Sequence, residues 1–182
     1  MSCKFDFSLC SKRCKRLVQT TRHKFTGISI QIHDVGQYVW VRGPRKARCF
    51  MWVGDQKRWT LNYKYMKIGG KRMKTRIFSD RDSRQINTQT PELDLKIIVD
   101  YCKEIFRIPI LDVIFNADGI RNFMKYVPMV TQCRSMHLKT ETMSEEDLEA
   151  FKAQVIVERS FYINYKLINP NFPCGSDVLS NK

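Results

Sequence analysis

What this chain of 182 residues lacks narrows its reading first. No apolar run approaches the roughly 20 residues that a membrane-spanning helix needs. Residues 1–7 hold no apolar segment of the kind a secretory leader has, so neither a span nor a leader is expected. No Asn-x-Ser/Thr acceptor occurs, and the seven cysteines are odd in number and lie in apolar contexts. Both features favour buried thiols in a reducing compartment, cytoplasmic or nuclear, over a secreted disulfide scaffold. There is no Gly-x-Ser-x-Gly elbow. Gly69-Gly70-Lys71 lacks the spacing of a phosphate loop. The three histidines, His23, His33 and His137, accompany no nucleophile motif. His23 with Cys10 and Cys14 has no second pair at zinc-finger spacing. The pair Asp80 and Asp82 falls in a polar stretch and reads as a solvated charge cluster. An enzyme is therefore not expected, and no metal or cofactor is called for.

Acidic residues are scarce in one half only. Residues 1–90 hold 21 Lys+Arg against 5 Asp+Glu, a net charge of +16, whereas residues 91–182 carry −2. An anionic partner belongs with the first half. A composition of 43% hydrophobic and 12% aromatic residues excludes a disordered chain. The length suffices for one domain with a real core or for two small ones.

Along the chain, Phe7, Cys10, Cys14, Leu17 and Val18 recur at helical spacing, which predicts one short helix. Asp6 or Ser8 would be its N-cap, its thiols would face the core, and Lys12, Arg13, Lys15 and Arg16 would form a basic face. The run 11–16 also has the look of a weak nuclear-localisation cluster. Residues 26–78 alternate like strands between turn signals and predict an antiparallel meander of four or five strands. Two basic loops, 42–48 and 67–76, interleave with Trp40, Trp52, Trp59, Tyr63 and Tyr65. Such a mixture can bind single-stranded nucleic acid by phosphate contact and base stacking. Equally, the aromatics can be core anchors and the charges a solvated face, with Lys and Arg on the wet side or in loops. Residues 79–90 are polar and read as a linker, after which Pro91 opens a helix.

From 93 to 167 one pattern recurs every 25 residues. Leu111, Met136 and Phe161 align, as do Val113, Leu138 and Ile163, all in period-2 runs. Ile98, Phe123 and Leu148 align too, as do Tyr101, Tyr126 and Phe151, at i, i+3 spacing. Helices over 93–107, 118–127 and 144–155 would each precede a strand, at 111–115, 135–139 and 160–167. Ile97, Ile98, Tyr101, Cys102 and Ile105 would form the buried stripe of the first helix, Ser144 would cap the third, and His137 would face away from Met136 and Leu138. One such unit cannot bury its own apolar face, so the units stack with parallel strands. The expected fold class is α/β: an N-terminal helix (1–25), a basic antiparallel β-meander with its linker (26–90), then three leucine-rich-repeat-like helix–strand units (91–182).

The run Phe7-Ser8-Leu9-Cys10-Ser11-Lys12-Arg13-Cys14-Lys15-Arg16-Leu17-Val18 resembles the C-terminal half of an F-box, in the form seen in the large nematode F-box families. Residues Leu93, Asp94, Val99, Asp100, Tyr101 and Phe106, followed by Ser-Glu-Glu-Asp-Leu at 144–148, resemble the F-box-associated domain of the same families, over roughly 30–175. The resemblance implies a substrate-recognition subunit of a cullin-type ubiquitin ligase. Its Skp-family adaptor would be held through Leu9, Cys10, Leu17 and Val18, and the associated domain would capture a target protein. The N-terminal half of the box is missing, so adaptor binding is expected to be weak or absent. The alternative is a nucleic-acid-binding module using residues 1–90, with Arg42, Arg45, Lys46, Arg48, Lys71, Arg72, Lys74 and Arg76 as its basic surface. A scaffold protein without a ubiquitin role is the third reading.

Overall fold

The computed structural model describes residues 2–43, 49–54, 63–78, 83–120, 122–167 and 178–179. The chain divides into two units. One comprises Met1–Ser29 and Gly36–Pro109, and the other Ile30–Val35 and Ile110–Lys182. Both parallel and antiparallel strand pairs occur, so the protein is mixed α/β. Among the described residues no helix is long and apolar enough to cross a membrane.

The first unit opens with two helices where one was expected, α1 (Ser2–Cys10) and α2 (Lys12–Thr20). Ser11 is fully extended at φ −162° and ψ 165°, and its hydroxyl accepts from the Cys14 N–H at 3.1 Å, so it caps α2 and breaks the run. Asp6 and Ser8 lie inside α1 and have other work. Asp6 pairs with Arg84 at 2.5 Å. Ser8 is buried, donates to the Phe5 carbonyl and lies 3.0 Å from the Tyr101 hydroxyl. With the helix broken, the expected stripe does not pack as one face. Phe5, Ser8 and Val18 are buried, while Phe7, Cys10 and Leu17 are exposed. Cys10 is therefore no core thiol, unlike Cys102 and Cys133.

Strand β1 (Gly27–His33) has the alternation read from its sequence, with Ile28, Ile30 and Ile32 all fully buried. Four strands follow: β2 (Gly36–Arg42), β3 (Cys49–Gly54), β4 (Lys64–Ile68) and β5 (Lys71–Phe78). The supposed linker then contains β6 (Ser83–Asn87). It runs parallel to β3, pairing Met51 with Arg84 and Val53 with Ile86, and antiparallel to β5. The strand order is β2-β3-β6-β5-β4, so the simple meander is corrected: β6 inserts between β3 and β5. Its polar sequence concealed it. Arg84 is fully buried because α1 supplies a carboxylate at Asp6 and an aromatic face at Phe5, whose ring centre lies 5.2 Å from the guanidinium carbon.

Helix α3 (Pro91–Phe106) starts on Pro91, carries Glu92 and Asp94 in its first turn, and stops at Arg107, which adopts a left-handed conformation ahead of Pro109. Leu95, Ile98, Val99, Tyr101, Cys102, Ile105 and Phe106 are buried, whereas Ile97 is only half-buried. Ile97 instead abuts the β4–β5 turn. A Cβ on Gly69, whose φ is +54°, would lie 2.6 Å from its Cγ2, so that turn needs glycine both for conformation and for space. Asp94, 3% exposed, receives the Lys71 ammonium. Lys15 ties α2 to α3 through Glu104 at 2.6 Å and lies 5.0 Å from the Tyr101 ring centre.

In the second unit, β7 (Ile110–Asn116), β8 (Gln132–Met143) and β9 (Ile156–Leu167) are parallel neighbours, and β10 (Val178–Leu179) adds to β9 antiparallel. The register is Val113–Met136–Phe161 and Phe115–Leu138–Ile163. The 25-residue spacing thus holds from β8 to β9, but β7 is shifted by two residues from the alignment of Leu111 with Met136. A shift of two keeps the same face inward. Helix α4 (Glu145–Gln154) is capped by Ser144, whose hydroxyl accepts from the Asp147 N–H at 3.0 Å, as read from the sequence. The helix expected over 118–127 is corrected to a short 3₁₀ helix, Phe123–Met129. Gly119 (φ +78°) and Asn122 (φ 55°) turn the chain left-handed before it, and Pro128 within it removes a helical donor. Phe151 is fully buried at the centre of the core, with the rings of Phe115, Phe123 and Phe161 within 6.2 Å of it, centre to centre.

Two stability predictions follow from this packing. Asp6→Ala removes the Asp6 carboxylate from the buried Arg84 guanidinium and should cost about 3–5 kcal/mol. Arg84→Met leaves a carboxylate that is 37% exposed and can hydrate, so its cost should be clearly smaller; urea denaturation orders the two. Leu138→Asp places a charge at a position 1% exposed and should cost about 3 kcal/mol or more. Lys139→Asp, at a side chain 62% exposed, should stay within about 1 kcal/mol. Equal shifts in thermal midpoint for these two would contradict the strand register.

Candidate interaction surface

Each strand of the parallel ladder sends alternate residues to opposite faces. One face, bearing Val113, Phe115, Met136 and Leu138, is buried against the core that holds α4 and the 3₁₀ helix. The other bears three cross-strand rows: Asp112–Ser135–Ser160, Ile114–His137–Tyr162 and Asn116–Lys139–Asn164. His137, Lys139, Tyr162 and Asn164 on it are exposed. Parallel sheets occur almost only with both faces covered. A parallel ladder with an exposed second face is thus a surface of unusual kind.

Its middle row holds an aromatic pair beside Ile114. His137 stacks on Tyr162 with ring centres 4.7 Å apart and an interplanar angle of 23°, and Tyr162 remains 45% exposed. The flanking rows are polar. Ser160 donates to Ser135 at 2.9 Å, and Lys139 lies 3.5 Å from the Asp118 carboxylate. The Asp118 side chain also accepts from the Glu141 N–H at 2.5 Å, which fixes that rim. An amphipathic aromatic centre within a polar rim is the arrangement found at the energetic core of protein interfaces. The nearby thiol of Cys133 faces the core, and burial, with smaller contributions from Glu158 and Asp112, pushes it up to about 12, far from the reactive range. Among the described residues no group of three or more His, Cys, Asp or Glu could hold a metal.

The residues singled out from sequence are dispersed. Of the adaptor set, Val18 is 4% exposed and Leu9 half-buried, while Cys10 and Leu17 are exposed. Of the basic set, Arg45, Lys46 and Arg48 lie outside the described residues. Arg42 donates to the Ser29 hydroxyl, Lys71 is held by Asp94, and Arg76 is half-buried. Only Arg72 and Lys74 are exposed together on one strand face, beside Tyr65 and Tyr63. His23, weighed as a metal ligand, donates instead to the Val18 carbonyl and stacks on Phe25.

The sequence reading passed over Tyr162 as a candidate surface residue and treated His137 only as outward-facing. The outward positions of the repeat held the signal. Ser135 with Ser160, His137 with Tyr162 and Lys139 with Asn164 are each 25 residues apart, interleaved with the apolar pairs that attracted attention. The chain matches no known family model, and comparisons with curated proteins and with solved structures return no match.

Proposed function

We propose that this chain is a non-enzymatic protein-interaction module that captures a protein partner on the exposed face of β7–β9. The observation that carries the reading is the His137–Tyr162 stack, an exposed aromatic pair at the middle of a three-strand parallel face with polar rows on either side. Stacked helix–strand units of the leucine-rich type use such a face for binding. In the ligase setting implied by the resemblance to F-box proteins, this face receives the substrate and the α1–α2 segment meets the Skp-family adaptor. Buried thiols at Cys102 and Cys133 support a reducing compartment, cytoplasmic or nuclear.

The adaptor contact should be weak. Val18 is committed to the core of its unit, and stable interfaces bury about 1,600 Å², more than a few residues such as Cys10 and Leu17 supply. Titration calorimetry with a purified Skp-family adaptor should therefore detect weak binding or none, and nanomolar affinity would refute this.

The capture face is tested by placing a photo-crosslinking residue at Tyr162, with Ala150 on the exposed side of α4 as the control. Discrete adducts from position 162 and none from 150 are expected. Indiscriminate or equal labelling from both removes the reading. With the captured protein in hand, Tyr162→Ala should weaken binding by about 2 kcal/mol or more, as for a central aromatic, and Lys139→Ala by less than about 1 kcal/mol.

A further inference from the structure

We propose that the outer face of the β4–β5 hairpin binds single-stranded nucleic acid, a role independent of the β7–β9 face. The hairpin pairs Tyr65 with Lys74 and Lys67 with Arg72, while the other side of the ribbon carries buried Ile68, Met73 and Thr75. Tyr65, Lys67, Arg72 and Lys74 therefore share one face, and all four are exposed.

Three observations point to an anionic ligand with flat groups. Lys67 stands directly opposite Arg72, and like charges in that relation destabilise a strand pair. Among the described residues no carboxylate pairs with Lys67, Arg72 or Lys74; the neighbouring Asp94 is occupied by Lys71. Among the described residues the charge on this face is thus uncompensated, and a phosphodiester backbone would compensate it. Second, the cations lie over rings. The Arg72 guanidinium is 4.3 Å from the Tyr65 ring centre, and the Lys74 ammonium is 4.8 Å from that of Tyr63. Tyr63 is half-buried with its hydroxyl enclosed, so the exposed Tyr65 ring and Arg72 guanidinium are the flat groups on which a base can stack, with the ammonium groups of Lys67 and Lys74 on the phosphates. Third, β4 ends the strand order of its unit, so among the described residues no strand pairs with its outer edge.

Lysine on an edge strand also discourages strand pairing. That role needs neither a Tyr65 ring left 61% exposed nor an arginine set against the lysine. A membrane surface fits less well, because the face holds no aliphatic side chain to insert. An acidic peptide would satisfy the charges but leave the rings unused.

Fluorescence anisotropy of the full chain with labelled 12-mer oligo(U) and oligo(dT) tests this. Binding should weaken steeply and linearly in log salt. Tyr65→Ala should lower affinity about tenfold with an unchanged salt slope, as a lost stacking contact does. Lys67→Ala should lower affinity and make the salt slope shallower by about 1. Lys12→Ala with Arg13→Ala, exposed on α2, should leave binding unchanged, and circular dichroism confirms that each variant folds. The proposal is overturned if Tyr65→Ala binds like the parent chain or if the α2 variant loses as much affinity as Lys67→Ala. It is also overturned if polyglutamate or vesicles containing anionic lipid displace the oligonucleotide as well as unlabelled oligonucleotide does.

Discussion

The first unit depends on the burial of Arg84. An isolated guanidinium without solvent is untenable by several kcal/mol, so a strand bearing one can form only where a counter-charge is delivered to it. Asp6 delivers it, from a helix 78 positions away in the chain, and Phe5 on the same helix covers the guanidinium plane. The location of α1 and the existence of β6 are thus one event. The rest of the unit follows by contact. Ser8, one turn on, meets the Tyr101 hydroxyl while Phe5 packs edge-on to the Tyr101 ring, which sets α1 against α3. Burial then pushes the Tyr101 phenol up, so it stays neutral and able to donate. Helix α3 in turn holds the β4–β5 hairpin, through Asp94 to Lys71 and through Ile97 over Gly69.

The consequence for function is that the hairpin is braced from behind. Asp94 engages Lys71 on the inner side, while strand alternation puts Arg72 and Lys74 on the outer face beside tyrosines. In the second unit an aromatic core plays the corresponding part. Phe151 of α4, packed among Phe115, Phe123 and Phe161, holds one side of the ladder rigid. The opposite side then presents His137 and Tyr162 at low entropic cost, since two stacked rings on adjacent strands have few rotamers to lose.

Much of the second unit was legible in advance. Period-2 alternation identified β7, β8 and β9, Ser144 marked the start of α4, and the 25-residue recurrence announced parallel pairing. The failures there have a local cause. Gly119, Asn122 and Pro128 act on backbone dihedrals, and together they outweigh the i, i+3 apolar spacing that had suggested an α-helix over 118–127. In the first unit, α3 was read to within two residues at each end because Pro91 and Pro109 are local signals. The break at Ser11 was available as well, since serine competes for backbone donors, but a continuous apolar spacing masked it.

By itself the sequence determined what local chemistry controls: the mixed α/β class, the helix ends at Pro91 and Ser144, the inward face of each parallel strand, and the gathering of positive charge in the first 90 residues. Only the tertiary structure decided which polar residues are structural and which are free to bind. Arg84 and Asp94 look like surface residues in the chain, and both are buried because partners remote in sequence neutralise them. Tyr162 and Tyr65 look like core residues, and both stand in solvent because their strands expose the face they occupy. Strand alternation says which residues go together, but which side is covered depends on elements distant in the chain. Burial is a property of the assembled surface and not of the residue.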